Sequence, residues 1–261
     1  MPGRIHVERE GAVAWLVFDH PERRNAITAG MWQALPEAAA ALDADPAVRV
    51  VILRGAGDVA FVSGADISEF ESARTGAEAA ADYDRTTARA FDALTGLSKP
   101  LLAMVHGFCI GGGMATALAA DLRYAADDAV FAIPAARLGL GYHMAGLDAL
   151  SALVGPAAAK EILFTARRYD APEARALGLV NAVHPKAELE REVRATAAAI
   201  AENAPLTLRA AKLALRELAR DPGARDVAAV RRSVLACFES DDYREGVRAF
   251  LEKRRPRFAG R

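Results

Sequence analysis

Lys99-Pro100-Leu101-Leu102-Ala103-Met104-Val105-His106-Gly107-Phe108-Cys109-Ile110-Gly111-Gly112-Gly113-Met114 joins an apolar run, a glycine turn and three consecutive glycines. The apolar run reads as a buried strand. The glycines open an Ala-rich segment, Ala115 to Ala120, that reads as a helix. Consecutive glycines at a helix start let a ligand approach bare backbone, where unpaired N–H groups favour negative charge. The same glycines also suit close strand–helix packing, and taken alone they do not choose between the two.

Upstream, Ile5–Glu8 and Val13–Phe18 read as a hairpin broken at Gly11. A charged loop, His20 to Ala26, follows. Thr28 is placed to cap a helix from Ala29 to Leu42, with Met31, Leu35, Ala38, Ala39 and Leu42 at helical spacing. Val48–Leu53 is a β-branched strand ending in the turn Gly55-Ala56-Gly57-Asp58. The segment from Gly76 to Leu97 reads as a long amphipathic helix. Downstream, Leu122–Ala125 and Val130–Ile133 read as short strands. The loop Pro134–Gly141 then leads into a helix containing Leu147, Leu150 and Leu153, ended by Gly155-Pro156.

Beyond Pro156 only Leu179–Val183 reads as extended. Helices are expected over 157–164, 186–203, 206–218, 224–238 and 243–251. The chain is therefore α/β first and helical last. Strand–strand–helix units recur up to about residue 125 without a sequence repeat.

With 261 residues, 52% of them hydrophobic, the chain is long enough for a sizeable core. A formal net charge of −1 argues against a general nucleic-acid binder and a polybasic membrane surface. Cys109 and Cys237 form neither a disulfide framework nor a metal spacing, and Cys109 reads as a small buried residue. No metal is expected. The N-terminus lacks an apolar signal core and no run of 18 apolar residues occurs, so the expected setting is soluble and cytoplasmic.

A second glycine-broken apolar stretch is Phe61-Val62-Ser63-Gly64-Ala65-Asp66-Ile67. Paired with Gly111–Gly113, it offers two relaxed turns, each after a strand. Two N–H groups converging on one oxygen would form an oxyanion hole, in which one donor is worth roughly 10²–10³ in rate. Asn25-Ala26, Ser63–Ile67 and Lys99–Gly113 occur in that order. After them come Asp121-Leu122-Arg123, Gly139, Leu177-Gly178-Leu179-Val180 and the terminal Phe250-Leu251-Glu252-Lys253-Arg254-Arg255-Pro256-Arg257-Phe258.

Together these elements resemble the crotonase (enoyl-CoA hydratase/isomerase) superfamily over nearly the whole chain. The resemblance implies an α/β fold, a crotonase-like spiral of ββα units. The acyl-CoA-binding core would span 1–200 and a C-terminal helical oligomerisation region 201–261. It also implies a homotrimer or a dimer of trimers, a role in fatty acid metabolism as a lyase or isomerase, and an acyl-CoA thioester substrate. Coenzyme A would be part of the substrate, and no separate cofactor is implied.

By position the two carbonyl-binding N–H groups would be those of Ala65 and Gly112. Arg23, Arg24, Ala26, Gly64, Asp66 and Ile67 would line the nucleotide and pantetheine, with an arginine fork suited to phosphate. As loop charges Arg23 and Arg24 otherwise read as solvated. Gly111, Pro134, Ala135, Leu138 and Gly139 would also be substrate-binding.

Hydratases of this family carry two glutamates that activate water and protonate the α-carbon. Those positions fall on Ala115 and Ala135, and alanine transfers no proton. Tyr142 and His143 are the replacement candidates. Tyr142 resembles the tyrosine of the methylmalonyl-CoA decarboxylase branch, and His143 carries protons near neutral pH. Both also read as plain loop residues. Arg137 reads as a loop anchor held by a salt bridge, His106 as a satisfied structural histidine, Asp121 as a brace and Asp148 as a surface or capping residue. His6, His20 and His184 have no partner suggested by spacing. Three readings stand: a diverged hydratase or isomerase, a malonyl-type acyl-CoA decarboxylase, and a non-catalytic acyl-CoA-binding protein.

Overall fold

The computed structural model describes residues 3–69, 77–142 and 144–261. Its ten strands are β1 (Arg4–Glu10), β2 (Val13–Asp19), β3 (Val50–Gly55), β4 (Ala60–Val62), β5 (Leu101–Val105), β6 (Phe108–Ile110), β7 (Leu122–Ala126), β8 (Val130–Ala132), β9 (Tyr169–Asp170) and β10 (Ala182–His184). They form two sheets, a six-stranded one in the order β1-β2-β3-β5-β7-β10 and a four-stranded one in the order β4-β6-β8-β9. Among the described residues the strand pairs β1–β2 and β8–β9 are antiparallel and the others parallel. In each unit after the hairpin, the long first strand joins the larger sheet and the short second strand joins the smaller. This is the spiral of ββα units the sequence led us to expect.

The helices follow the strand pairs. They are α1 (Ala29–Ala44), α2 (Ala77–Thr95), α3 (Gly112–Leu118), α4 (Ala135–Leu138) and α5 (Met144–Thr165), the last broken at Gly155. α6 (Ala171–Ala176), α7 (Lys186–Ala201), α8 (Pro205–Leu218), α9 (Val227–Glu239) and α10 (Asp241–Leu251) complete the chain. Thr28 caps α1 by accepting from the Met31 N–H at 3.3 Å.

The central strands β2, β3 and β5 of the large sheet are buried on both faces, as is usual in a mostly parallel sheet. Ala14, Leu16 and Phe18 of β2 face a cluster shared with α1 and α2. Trp15 and Val17 face the other way, toward Leu189, Val193 and Ala197 of α7. Buried Lys99 donates to the carbonyls of Leu42 at 2.6 Å and Asp45 at 2.5 Å, closing the C-terminus of α1. Lys212 of α8 reaches back to the Lys99 carbonyl at 2.9 Å and the Asp121 carboxylate at 2.7 Å. Asp121 also accepts from the Leu101 N–H at 2.7 Å, so it braces the start of β5.

Several expectations needed correction. The apolar run forms β5, but the stretch after the turn holds a second strand that was not expected, β6, because Gly107 (φ 54°) turns the chain out of the large sheet and into the small one. A Cβ at Gly107 would overlap the Val59 carbonyl, so only glycine permits this turn. The helix after the glycines starts at Gly112, three residues earlier than read, and ends at Leu118. Pro134–Gly141 contains the one-turn helix α4. Extended structure beyond Pro156 includes the two-residue β9, too short to show alternation, while Leu179 and Val180 lie ahead of β10. Among the described residues no helix is long and apolar enough to cross a membrane.

Candidate functional site

The segment Arg23–Ile27 is sewn to Ser63–Asp66. The Ile27 N–H donates to the Gly64 carbonyl at 2.8 Å, and the Asp66 N–H donates to the Ile27 carbonyl at 2.9 Å. Ser63 is tied to the same loop through its N–H to the Arg24 carbonyl and its hydroxyl to the Arg23 carbonyl, both at 3.1 Å. This parallel bridge, Ile27 opposite Ala65, uses groups on the two neighbours of Ala65. The Ala65 N–H is therefore turned to the opposite side.

Asn25 (φ 56°) holds the loop from beneath. Its side-chain amide donates to the carbonyls of Ala56 at 2.9 Å and Ala60 at 2.7 Å, while its oxygen accepts from the His20 N–H at 3.0 Å. His20, read as lacking a partner, is buried with Nδ1 at 3.0 Å from the Ala26 carbonyl. His6 likewise has a partner, Glu8 at 3.1 Å.

The three glycines have three separate jobs. Gly111 turns the chain at φ 52° and ψ −107°, a conformation foreign to side-chain-bearing residues. Gly113 lies against β4 so closely that a Cβ would overlap the Val62 carbonyl. Gly112 has an ordinary φ. As the first residue of α3 its N–H has no partner within the helix. A Cβ built there would sit 3.4 Å from the Ala65 nitrogen and 3.2 Å from Cζ2 of Trp32. The two turns that lie about fifty residues apart in sequence thus meet.

Around this point the other named residues are unequally placed. Pro134 approaches Gly111, its Cδ 4.0 Å from where a Cβ would stand. Ala115 and Ala135 are half-buried, and Ala135, with Ala65 and Tyr142, packs against the main core. Leu138 and Ile67 are exposed, and Gly139 (φ 65°) ends α4. Arg23 and Arg24 are both exposed, and the Arg24 guanidinium lies 5.0 Å from the centroid of the Phe108 ring. Burial pushes the Asp66 carboxyl up, but two hydrogen bonds from Ser68 and the nearby Arg23 charge outweigh it and hold it below its ordinary range.

Tyr142 is the least ordinary group here. Its hydroxyl is buried and has no hydrogen-bond partner among the described residues. Burial first, and the neighbouring Cys109 second, push its pKa up to about 12. The Cys109 thiol, buried as expected, is itself pushed far up by burial. His143 lies outside the described residues.

Arg137 is exposed and has no ion pair among the described residues, so the loop is not anchored as read. Its N–H instead helps close α4 on the Pro134 carbonyl at 3.0 Å. Asp148 is exposed on α5. His106 is buried, but its Nε2 has no partner among the described residues, which departs from the satisfied histidine expected. Burial lowers its pKa.

Trp32, which borders Gly112, and Tyr83 behind it escaped the sequence reading. Trp32 of α1 and Tyr83 of α2 are buried and joined by an indole N–H to phenol oxygen hydrogen bond at 3.1 Å.

A family model described as enoyl-CoA hydratase/isomerase matches residues 8–261. The chain is 35% identical over 254 residues to a crotonyl-CoA hydratase of Syntrophomonas wolfei, covering 97% of each. It is 35% identical over 269 residues to a peroxisomal Delta(3,5)-Delta(2,4)-dienoyl-CoA isomerase of Arabidopsis thaliana, covering 98% of this chain and 95% of the relative. In three dimensions it resembles an enoyl-CoA hydratase/carnithine racemase from Magnetospirillum magneticum, with a TM-score of 0.94 and 38% identity. That match covers 98% of this chain and 96% of the other.

Proposed function

Since the chain belongs to the enoyl-CoA hydratase/isomerase family, we propose that it binds an acyl-CoA thioester and stabilises the enolate formed from it. The carbonyl oxygen would lie between the N–H groups of Ala65 and Gly112. The observation that carries this reading is the meeting of the two turns, with 3.4 Å between the Gly112 Cβ position and the Ala65 nitrogen. A thioester carbonyl gains negative charge as an enolate forms, and fixed N–H donors stabilise that charge without reorganising. Arg23, Ala26, Gly64, Asp66 and Ile67 would follow the pantetheine and nucleotide. Arg24, drawn over Phe108, would contribute less.

Hydration by two carboxylates is not the reaction we propose, because the positions that would supply them are Ala115 and Ala135. The buried Tyr142 hydroxyl, without a hydrogen-bond partner among the described residues, favours a second, narrower reading: decarboxylation of a malonyl-type CoA ester. The bond from the α-carbon to the carboxylate breaks, CO₂ departs, and the bonding pair enters the enolate held by Ala65 and Gly112. Tyr142 then gives its proton to the α-carbon, and water restores the proton to the tyrosinate. Burial, which raises the pKa to about 12, keeps the phenol in the protonated form that a donor needs.

The deciding experiment incubates the protein with crotonyl-CoA, a 3-enoyl-CoA and methylmalonyl-CoA. Each is followed by mass spectrometry beside a binding titration. Loss of CO₂ from methylmalonyl-CoA supports the second reading. Hydration of crotonyl-CoA at an ordinary enzymatic rate would remove the significance given to Ala115 and Ala135. Binding without turnover leaves a carrier of acyl-CoA esters, and no binding ends the thioester reading.

A further inference from the structure

Trp32 stands where the acyl chain of a bound thioester must go. In the thioester reading the carbonyl lies between Ala65 and Gly112, and the pantetheine passes Ala26 and Ile67. What remains for the acyl group is the interior, and there Cζ2 of Trp32 comes within 3.2 Å of a methyl-sized probe on Gly112. The indole is 4% exposed, and it is held by packing among Met31, Leu35 and the rest of the core. Its N–H is committed to the Tyr83 oxygen at 3.1 Å. Swinging the ring aside would break that bond and strand a buried donor, which costs about 1–3 kcal/mol. The two rings come from different helices, α1 and α2, so neither moves without disturbing a helix pair.

We infer that Trp32, locked by Tyr83, is the end wall of the acyl compartment and restricts the substrate to short acyl groups. This rests on the thioester reading above. A pocket closed by a rigid ring rejects each further methylene by overlap rather than by weak attraction. In closed apolar pockets one methylene changes discrimination by roughly 10–200-fold. The indole N–H, committed to the Tyr83 oxygen, offers the space beside the carbonyl no acid.

The test compares dissociation constants for CoA, butyryl-CoA and decanoyl-CoA by calorimetry in the wild type, Trp32→Leu and Tyr83→Phe. The wild type is expected to hold butyryl-CoA at least about tenfold more tightly than decanoyl-CoA. Trp32→Leu should shift that ratio by a similar factor toward the long chain while leaving CoA unchanged. Tyr83→Phe keeps the ring but frees the indole, and should shift it less in the same direction. If Trp32→Leu fails to fold, the wild-type ratio and Tyr83→Phe decide.

Equal binding of both esters by the wild type overturns the wall and leaves the thioester reading standing. So does an unchanged ratio in folded Trp32→Leu. Failure of the wild type to bind any of these CoA esters overturns the thioester reading and the wall with it.

Discussion

At the scale of single residues, Tyr142 separates a structural group from a functional one. A buried hydroxyl without a partner destabilises a fold, by about 1–3 kcal/mol for the unmet desolvation. Tyr142→Phe removes only that hydroxyl, so it should raise the melting temperature while lowering turnover of whichever thioester the protein processes. The two effects run in opposite directions, which a mere packing role would not produce. Alkaline titration sharpens the comparison. The folded pKa, about 12, lies above the ordinary value of 10, so burial favours the neutral form. The tyrosine is neutral in both states below pH 10. Above it the unfolded chain ionises first, so wild-type stability falls as pH rises from 10 toward 12. Denaturant melts of the two proteins between pH 8 and pH 12 should diverge above pH 10, with Tyr142→Phe ahead; parallel curves would count against the burial of this hydroxyl. Tyr142 was legible in the sequence only through resemblance. Trp32 was not legible at all, because beside Met31 on a helix face an indole reads as core, and only the fold aims its edge at Gly112.

At the scale of elements, the strand–turn–helix from β5 to α3 was half legible. Leu101–Val105 is five buried residues and announces a strand. Phe108–Ile110 is three residues, too few for a period to register, so the change of sheet at Gly107 went unread. The three glycines pointed to a turn but could not reveal which did what. Their separate jobs predict separable phenotypes. Gly113→Ala drives a methyl into the Val62 carbonyl, and since backbone cannot yield as a side chain does, the cost should be about 1–3 kcal/mol or more. Gly112→Ala meets Trp32 at 3.2 Å and needs a shift of only a few tenths of an ångström, so it should fold normally. Its methyl, however, would sit 3.4 Å from the Ala65 nitrogen, in the space we propose for the carbonyl. Thermal melts beside thioester binding should show Gly113→Ala impaired in stability and Gly112→Ala impaired in binding. Gly112→Pro, which deletes the N–H itself, should cut turnover by roughly 10²–10³. A Gly112→Ala protein that binds thioesters as tightly as the wild type would disprove the placement of the carbonyl.

At the scale of the whole molecule, alternation of strand–strand–helix units was visible, but the sorting of first and second strands into two sheets was not. Sorting depends on turns such as Gly107, whose geometry is fixed by contacts with Val59, nearly fifty residues away in sequence. The C-terminal helices leave a different question, because their apolar stripes could face the core or another copy. In the folded chain Phe250 is 82% exposed, and Leu251, Phe238 and Leu235 are also exposed. Meanwhile α10 is secured without any partner: Ser240 caps it at 3.0 Å from the Tyr243 N–H, and buried Asp242 accepts from the N–H groups of Ala259 and Gly260 at 2.6 and 2.8 Å. A helix already held in place, with large apolar side chains turned outward, is best explained by a second copy covering them, and we propose the trimer implied by the family resemblance. Covering a fully exposed Phe or Leu contributes about 1.5–3 kcal/mol, and each would recur in every subunit. Phe250→Asp should therefore shift the sedimentation coefficient from trimer toward monomer while leaving the helical circular dichroism signal intact, because Phe250 supports nothing inside its own chain. Wild-type protein sedimenting as a monomer at micromolar concentration would rule the trimer out and leave these side chains to some other cover.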